Sequence, residues 1–313
     1  MEIKGKMDIL VGNTGFVGFN IARHHEFRYS FHSSDIVDSY GLSPELLVYA
    51  GIPSSMAIAN SEPEKDFQVI VKAIENIRKI NAKKTVLISS VAVYDSTICV
   101  NEDTLIDEKL LSTYGKNRRY LERILLQEFP NSLVVRLPAL YGENLKKNFI
   151  YDMLHPIPDF LRKEKYMSFA RDCSIIQQCY KKYNKDFYKK NKERNKDKDL
   201  LLYFEKKGFT SLNFTDSRSI YQFYNLKNLW RHITIALENG LHLFNVCTEP
   251  ISAGELFFHI TGKVFKNEVM DVPFRYDIWT KYENIFGNHY LYPKDYVLND
   301  IKQFYEDSLA RKV

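Results

Sequence analysis

The stretch Ile9-Leu10-Val11-Gly12-Asn13-Thr14-Gly15-Phe16-Val17-Gly18 runs a short apolar segment directly into three glycines spaced three apart. An apolar strand that breaks into glycines and continues as a helix builds a pocket for a dinucleotide. In this reading Gly12 allows the tight turn, Gly15 lets the backbone approach a pyrophosphate, and Gly18 lets the helix pack close to the sheet. The N–H groups at the helix start then face the phosphates. Gly12, Asn13, Thr14, Gly15, Phe16, Val17 and Gly18 are therefore the first cofactor-binding candidates. Taken alone the pattern also fits a glycine-rich turn that holds nothing, so the rest of the chain has to decide.

Outward from this stretch, strands and helices alternate. Met7 to Val11 reads as a strand, Phe16 to about His24 as a short helix, and Phe27 to Phe31 as a second strand. Leu46 to Ala50 is a buried strand that ends at Gly51-Ile52-Pro53. From about Glu64 to Ile80, Phe67, Ile70, Val71, Ile74 and Ile77 recur at helical spacing, which predicts a core-facing helix. Thr85 to Ile88 is a strand opening into Ser89-Ser90, Leu110 to Phe129 a helix stopped by Pro130-Asn131, and Ser132 to Leu137 the next strand. This order predicts an α/β fold, a Rossmann-type doubly wound parallel sheet with a smaller C-terminal α+β substrate domain. The dinucleotide-binding domain is placed at 1–147, with 216–247 returning to it. The substrate part is placed at 148–215 and 248–313. Within it, 157–207 is charged, aromatic and helical, an insertion or cap. Asn148 to Leu154 reads as a helix, Phe209 to Phe214 as a strand, Leu226 to Leu237 as a helix, Leu243 to Val246 as a strand, and the end as helices, one starting near Lys294.

Composition narrows the function classes. With 313 residues, 45% hydrophobic and 27% charged, the chain is that of a soluble globular protein. No apolar run is long enough to cross a bilayer, and Met1 to Lys6 lacks the apolar core of a signal peptide, so a cytoplasmic location and no membrane partner are expected. Cys99, Cys173, Cys179 and Cys247 have neither C-x-x-C spacing nor paired histidines nearby. They read as reduced thiols, with no metal expected. The net charge of +5 is local: eleven basic against five acidic residues between Lys181 and Lys207 exceed it by themselves. That run reads as a solvated helix end or mobile loop, and no nucleic-acid partner is expected.

Four anchors, in this order and spacing, resemble the extended short-chain dehydrogenase/reductase superfamily, the NAD-dependent epimerase/dehydratase group. They are Gly12 to Gly18; Ser89-Ser90-Val91-Ala92-Val93-Tyr94; Tyr114-Gly115-Lys116-Asn117-Arg118 with Glu122; and Arg136-Leu137-Pro138-Ala139-Leu140-Tyr141-Gly142. The resemblance covers most of the chain and implies a catalytic hydroxyl residue, a tyrosine and a cation. By match these are Ser90, Tyr114 and, one helical turn on, position 118. A tyrosine is ordinarily a poor base at neutral pH, and a fixed cation favours its phenolate. Position 118 departs from the family: it is Arg where Lys is usual. Arginine is always charged and planar, so it can hold ribose hydroxyls but cannot relay a proton as a neutral amine. Read without the resemblance, Ser89-Ser90 end a strand, Tyr114 packs, and Arg136 is a buried cation paired with a carboxylate.

The resemblance further implies NAD(P) as cofactor, with Tyr114 and Arg118 also touching it, and a nucleotide-activated sugar as substrate, bound through Ser90 and Asn148. Ala50 and Gly51 are further cofactor-binding candidates, and Gly51, Pro53, Ser54 and Ser55 fall on the nicotinamide side. After the second strand, Ser33 and Ser34 are placed to cradle a phosphate and Asp35 to hold a ribose hydroxyl, which leaves NAD and NADP both open. Val91-Ala92 stands where dehydratases of the family carry Asp-Glu, so an epimerase or keto-sugar reductase is expected rather than a dehydratase. A homodimer is expected through an exposed apolar face of the Tyr114–Arg118 helix. The alternative is a catalytically degenerate NAD(P)-binding regulatory protein on the same fold, and a third reading, resting on the lysine run alone, is nucleic-acid binding.

Overall fold

In a computed structural model, residues 7–191, 193 and 196–311 are described. Residues 1–6, read above for the lack of a signal sequence, lie outside them, as do Lys192, Arg194 and Asn195 of the lysine run. The chain divides into two compact units. The first comprises Met1–Leu145, Ile220–Ile251 and Arg275–Asp300, and the second Lys146–Ser219, Ser252–Phe274 and Ile301–Val313.

The first unit is built on six parallel strands. They are β1 (Asp8–Val11), β2 (Tyr29–Phe31), β3 (Leu46–Tyr49), β4 (Thr85–Ser90), β5 (Leu133–Leu137) and β6 (Leu243–Asn245). Their spatial order is β6-β5-β4-β3-β1-β2, each neighbouring pair parallel. Four helices pack on its two faces: α1 (Phe16–Ala22), α2 (Pro63–Ile80), α3 (Thr113–Glu128) and α4 (Leu229–Glu238). Alternate strand residues face opposite sides, and both sides are apolar, as a parallel sheet covered on both faces requires. On one side Leu10, Val48, Val86, Val135 and Phe244 pack with Ile21 of α1 and Leu229, Ile233 and Ala236 of α4. On the other Ile9, Val11, Leu47, Leu87 and Val134 pack with Ile70, Ala73 and Ile77 of α2 and Leu121 and Leu125 of α3.

The doubly wound parallel sheet is thus the architecture of this unit, with one strand fewer on the β2 side than the common 3-2-1-4-5-6 order. The reason is chain length. Between Phe31 and Leu46 there is room only for a single-turn helix, Ile36–Ser39, and not for another strand with its own crossover. Ile36 from this short turn takes part in covering the sheet beside α2. Residues 275–300, expected with the substrate part, fall in the first unit, where Asp277–Ile278 pairs with Ile98–Val100.

The second unit corrects two expectations. The 157–207 stretch is not all helical. Phe160–Arg162, Phe187–Lys190 and Tyr180–Lys182 form an antiparallel sheet in that order, set among helices Lys163–Asp172, Ser174–Cys179 and Asp197–Lys206. Leu161, Phe169, Ile176, Tyr180, Leu200 and Phe204 make a core of their own beneath it. Tyr188 turns inward to stack on Tyr166, while Lys189 lies over the rings of Phe160 and Tyr183. Lys181, Lys182, Lys189 and Lys190 of the lysine run therefore stand on strands of a folded element, while Lys196 to Lys198 form the start of helix Asp197–Lys206. Phe209 to Phe214 is not a strand either: Ser211–Phe214 is a single-turn helix closed by a capping box from Thr210 and Asn213.

Candidate active site

Ligands of open α/β sheets bind beyond the carboxyl ends of the strands, where the strand order reverses. Here the reversal falls between β1 and β3, and Gly12 and Ala50-Gly51 follow those strands. Gly12 has φ +93°, and a Cβ there would lie 2.6 Å from the Ala50 carbonyl carbon. A Cβ on Gly18 would run into the Gly12 carbonyl oxygen. Only glycine allows this turn, and it sets α1 directly behind the loop. Gly15 differs from its two neighbours. The Gly12 carbonyl oxygen, at 3.2 Å, is the only atom among the described residues within 4 Å of its missing Cβ, so its outer side is open. Among the described residues, α1 has no side-chain cap and no acidic residue in its first turn, and the buried Asn13 Oδ1 has no hydrogen-bond partner. An open glycine, uncapped N–H groups and an orphaned buried acceptor fit a polar, anionic group laid across this loop.

After β2, Asp35 turns back on its own loop. Its Oδ1 accepts from the His32 backbone N–H at 2.7 Å and its Oδ2 lies 3.1 Å from His32 Nε2. Ser34 Oγ is 2.7 Å from His32 Nδ1, and Ser33 and Ser34 are exposed.

The two serines ending β4 are separated by strand alternation. Ser89 Oγ points into the interior and donates to Glu122 Oε1 at 2.6 Å. Ser90 is half-buried and its Oγ accepts from the Ala92 N–H at 3.2 Å, at the start of the single-turn helix Val91–Val93. Tyr114 opens α3, which Ser112 caps by accepting from the Gly115 N–H. A Cβ on Gly115 would strike the Ala92 carbonyl oxygen. Gly115 thus lets α3 lie directly on the turn after Ser90, which brings the Ser90 and Tyr114 turns together. Tyr114 is 6% exposed, and its backbone N–H donates to Asn60 Oδ1 at 3.1 Å.

Arg118 stands one turn along α3 from Tyr114, and its Cζ lies 3.9 Å from the Tyr114 ring centroid. Its side chain is buried. Nη1 donates to Asp66 Oδ2 and Nη2 to the Pro53 carbonyl at 2.6 Å, while Nε has no partner among the described residues. Asn117 Nδ2 donates to the same Asp66 oxygen at 2.8 Å. The sequence reading missed Asp66 and Asn60, and it placed Pro53 beside the nicotinamide without foreseeing its carbonyl as a partner of Arg118. Asp66 had left a signal: it falls on the apolar stripe of α2, one turn before Ile70, where an acid needs a buried partner.

Glu122 and Arg136 form the structural pair anticipated as one alternative. Arg136 donates to both Glu122 oxygens, at 3.1 and 2.7 Å, and its Cζ lies 4.7 Å from the Tyr94 ring centroid. Burial works against charge on the guanidinium, yet Glu122 beside it outweighs this and raises its affinity for the proton. Burial pushes the Tyr94 hydroxyl up to about 12, Arg136 notwithstanding. Asn148, expected to touch a diphosphate, belongs to the second unit, where its Oδ1 accepts from the Tyr151 N–H and caps helix Phe149–Leu154. The apolar residues of α3 face the core: Leu121 and Leu125 are buried, and Tyr120, Ile124 and Leu126 pack against the same cluster. On α3, Ile124 and Leu126 remain half-buried, as does Phe129 at its end.

No protein-family model matches the chain, and a search of curated proteins gives no match. Solved structures do match. UDP-N-acetylglucosamine 4-epimerase from Methanobrevibacter ruminantium M1, in complex with UDP-N-acetylmuramic acid, is 12% identical at a TM-score of 0.62, covering 98% of this chain and 99% of its own. UDP-glucose 4-epimerase from Thermotoga maritima, with UDP-glucose, is 16% identical at 0.60, covering 96% and 98%. dTDP-4-dehydrorhamnose reductase from Bacillus anthracis, in complex with NADP, is 13% identical at 0.61, covering 98% and 100%. Among the described residues no helix is long and apolar enough to cross a membrane. With its parallel sheet, its glycine turn at the strand reversal and its serine and tyrosine turns in contact, the chain has the fold of the extended short-chain dehydrogenases/reductases.

Proposed function

We propose that this chain is an NAD(P)-dependent oxidoreductase acting on a nucleotide-activated sugar, as an epimerase or a keto-sugar reductase. The observation that carries the reading is the contact between the Ser90 and Tyr114 turns at the carboxyl edge of the sheet, two strands from the open glycine loop. The loop Gly12 to Gly18 would hold the dinucleotide diphosphate, and Ala50 and Gly51 would flank the ring. The bound nicotinamide supplies hydride chemistry. Tyr114 moves a proton at the sugar hydroxyl while Ser90 hydrogen-bonds the same oxygen. The glycine loop and the serine–tyrosine pair serve either direction of transfer. Val91, buried in an apolar cluster, and Ala92 carry no acid or base after Ser90, which disfavours dehydration. Solved structures of the same fold hold NADPH, NAD or NADP, and UDP-sugars, in agreement with this reading.

The test is a screen of nucleotide sugars for absorbance change at the reduced-nicotinamide band, together with Tyr114→Phe. Turnover should fall by about 100-fold or more with dinucleotide affinity kept. One observation favours the second reading, a catalytically degenerate dinucleotide-binding regulator: both terminal nitrogens of Arg118 already have protein partners. Under it, the native chain binds dinucleotide, turns over no sugar, and is indifferent to Tyr114→Phe.

A further inference from the structure

We propose that Asp66 is a positioning residue that seats Arg118 beneath the Tyr114 ring and, through Arg118, ties down the loop after β3. The functional side of this proposal rests on the oxidoreductase reading above. Asp66 lies in the first turn of α2 with its side chain only 8% exposed, on the stripe that continues through Ile70, Ala73 and Ile77. A carboxylate on such a stripe persists only with full partners. It has two, both from α3: Arg118 and Asn117.

Arg118, 3% exposed, joins three separate pieces of the unit. Nη1 meets α2 at Asp66, Nη2 meets the loop at the Pro53 carbonyl, and the guanidinium plane underlies Tyr114. A flat fork makes these contacts at once. A lysine ammonium is a compact point charge on a flexible stem and does not. The pair therefore explains the departure at position 118. Arginine stands here with an acid set opposite, and its head is held by the protein on two sides. The Pro53 loop continues from Ala50-Gly51, beside the Gly12 turn, so the clamp joins the tyrosine turn to the glycine-loop side of the same edge.

The experiment compares the full-length native chain with Asp66→Asn, Arg118→Gln and the Asp66→Asn/Arg118→Gln double variant. It reads hydrogen exchange at the amides of Gly51, Ile52, Ser54 and Ser55, binding of reduced dinucleotide by fluorescence, and kcat. Each single substitution should speed exchange in this loop by about tenfold or more and lower kcat by a similar factor. The double variant should lose no more than Arg118→Gln alone, because Asp66 acts only through Arg118. Asp66→Asn leaves a buried guanidinium unpaired and can unfold the chain. Arg118→Gln likewise leaves the buried Asp66 carboxylate without its cation. The double variant buries no unpaired charge, and its loop exchange against the native chain then decides by itself, unmoved exchange overturning the proposal. Losses that multiply in the double variant, or loop exchange unmoved by Arg118→Gln, overturn the proposal. A native chain that binds no dinucleotide overturns the oxidoreductase reading, and the exchange comparison still decides whether Asp66 positions Arg118.

Discussion

Gly12, Gly15 and Gly18 share a residue type and a spacing but not a task. Gly12 and Gly18 are glycines because backbone atoms of this same unit occupy the place of a side chain. Gly15 has open space on its outer side, which suits a ligand. A substitution series should separate them. Gly18→Val drives a side chain into the Gly12 carbonyl and should cost on the order of 2–4 kcal/mol in a denaturant melt. Gly15→Val should leave stability within about 1 kcal/mol and weaken dinucleotide binding instead. The Arg136–Glu122 pair makes a similar point about charge. Both side chains are 1% exposed or less, so Glu122→Gln strands a buried guanidinium and should cost about 3–5 kcal/mol, measured as a fall in the denaturation midpoint.

At the scale of elements, α4 shows how burial sets a pH limit. His232 lies on its buried face with Nδ1 2.7 Å from the Tyr224 hydroxyl, and burial lowers its pKa from 6.5 to about 4, with Arg231 acting in the same direction. The folded chain therefore holds fewer protons at this site than the unfolded chain between those values. Its contribution is complete above pH 6.5 and is lost as the pH falls through 4. Stability should drop by on the order of 2–4 kcal/mol across that window, and His232→Asn should flatten the profile in melts taken at stepped pH. Helices were the easiest elements to read from sequence because a long apolar stripe recurs many times. α2 and α3 stand within a few residues of their expected ends. The short strands of the 157–207 stretch escaped because three or four residues with mixed lysine and aromatic side chains carry no period that separates strand from helix.

For the whole molecule, the excess positive charge falls between Lys181 and Lys207, and the described lysines there lie outside the core of their element. Lys181, Lys182 and Lys185 are exposed. Replacing all three with serine should lower the isoelectric point, change stability by about 0.5 kcal/mol or less, and leave dinucleotide affinity unchanged, as titration and a melt would show. Sequence alone determined the alternation that makes a parallel sheet, the glycine turn after the first strand, and the serine and tyrosine at their places along the chain. Those features are local, because periodicity and backbone permissiveness act over a few residues. Tertiary structure alone decided that Arg118 answers to Asp66 and the Pro53 carbonyl, that Asp35 closes on His32 in a loop without room for another strand, and that Leu121 and Leu125 of α3 are the ones buried against the sheet. Such outcomes depend on which distant side chains share a buried space. Charge, burial and partner settle that together, and no stretch of chain holds all three.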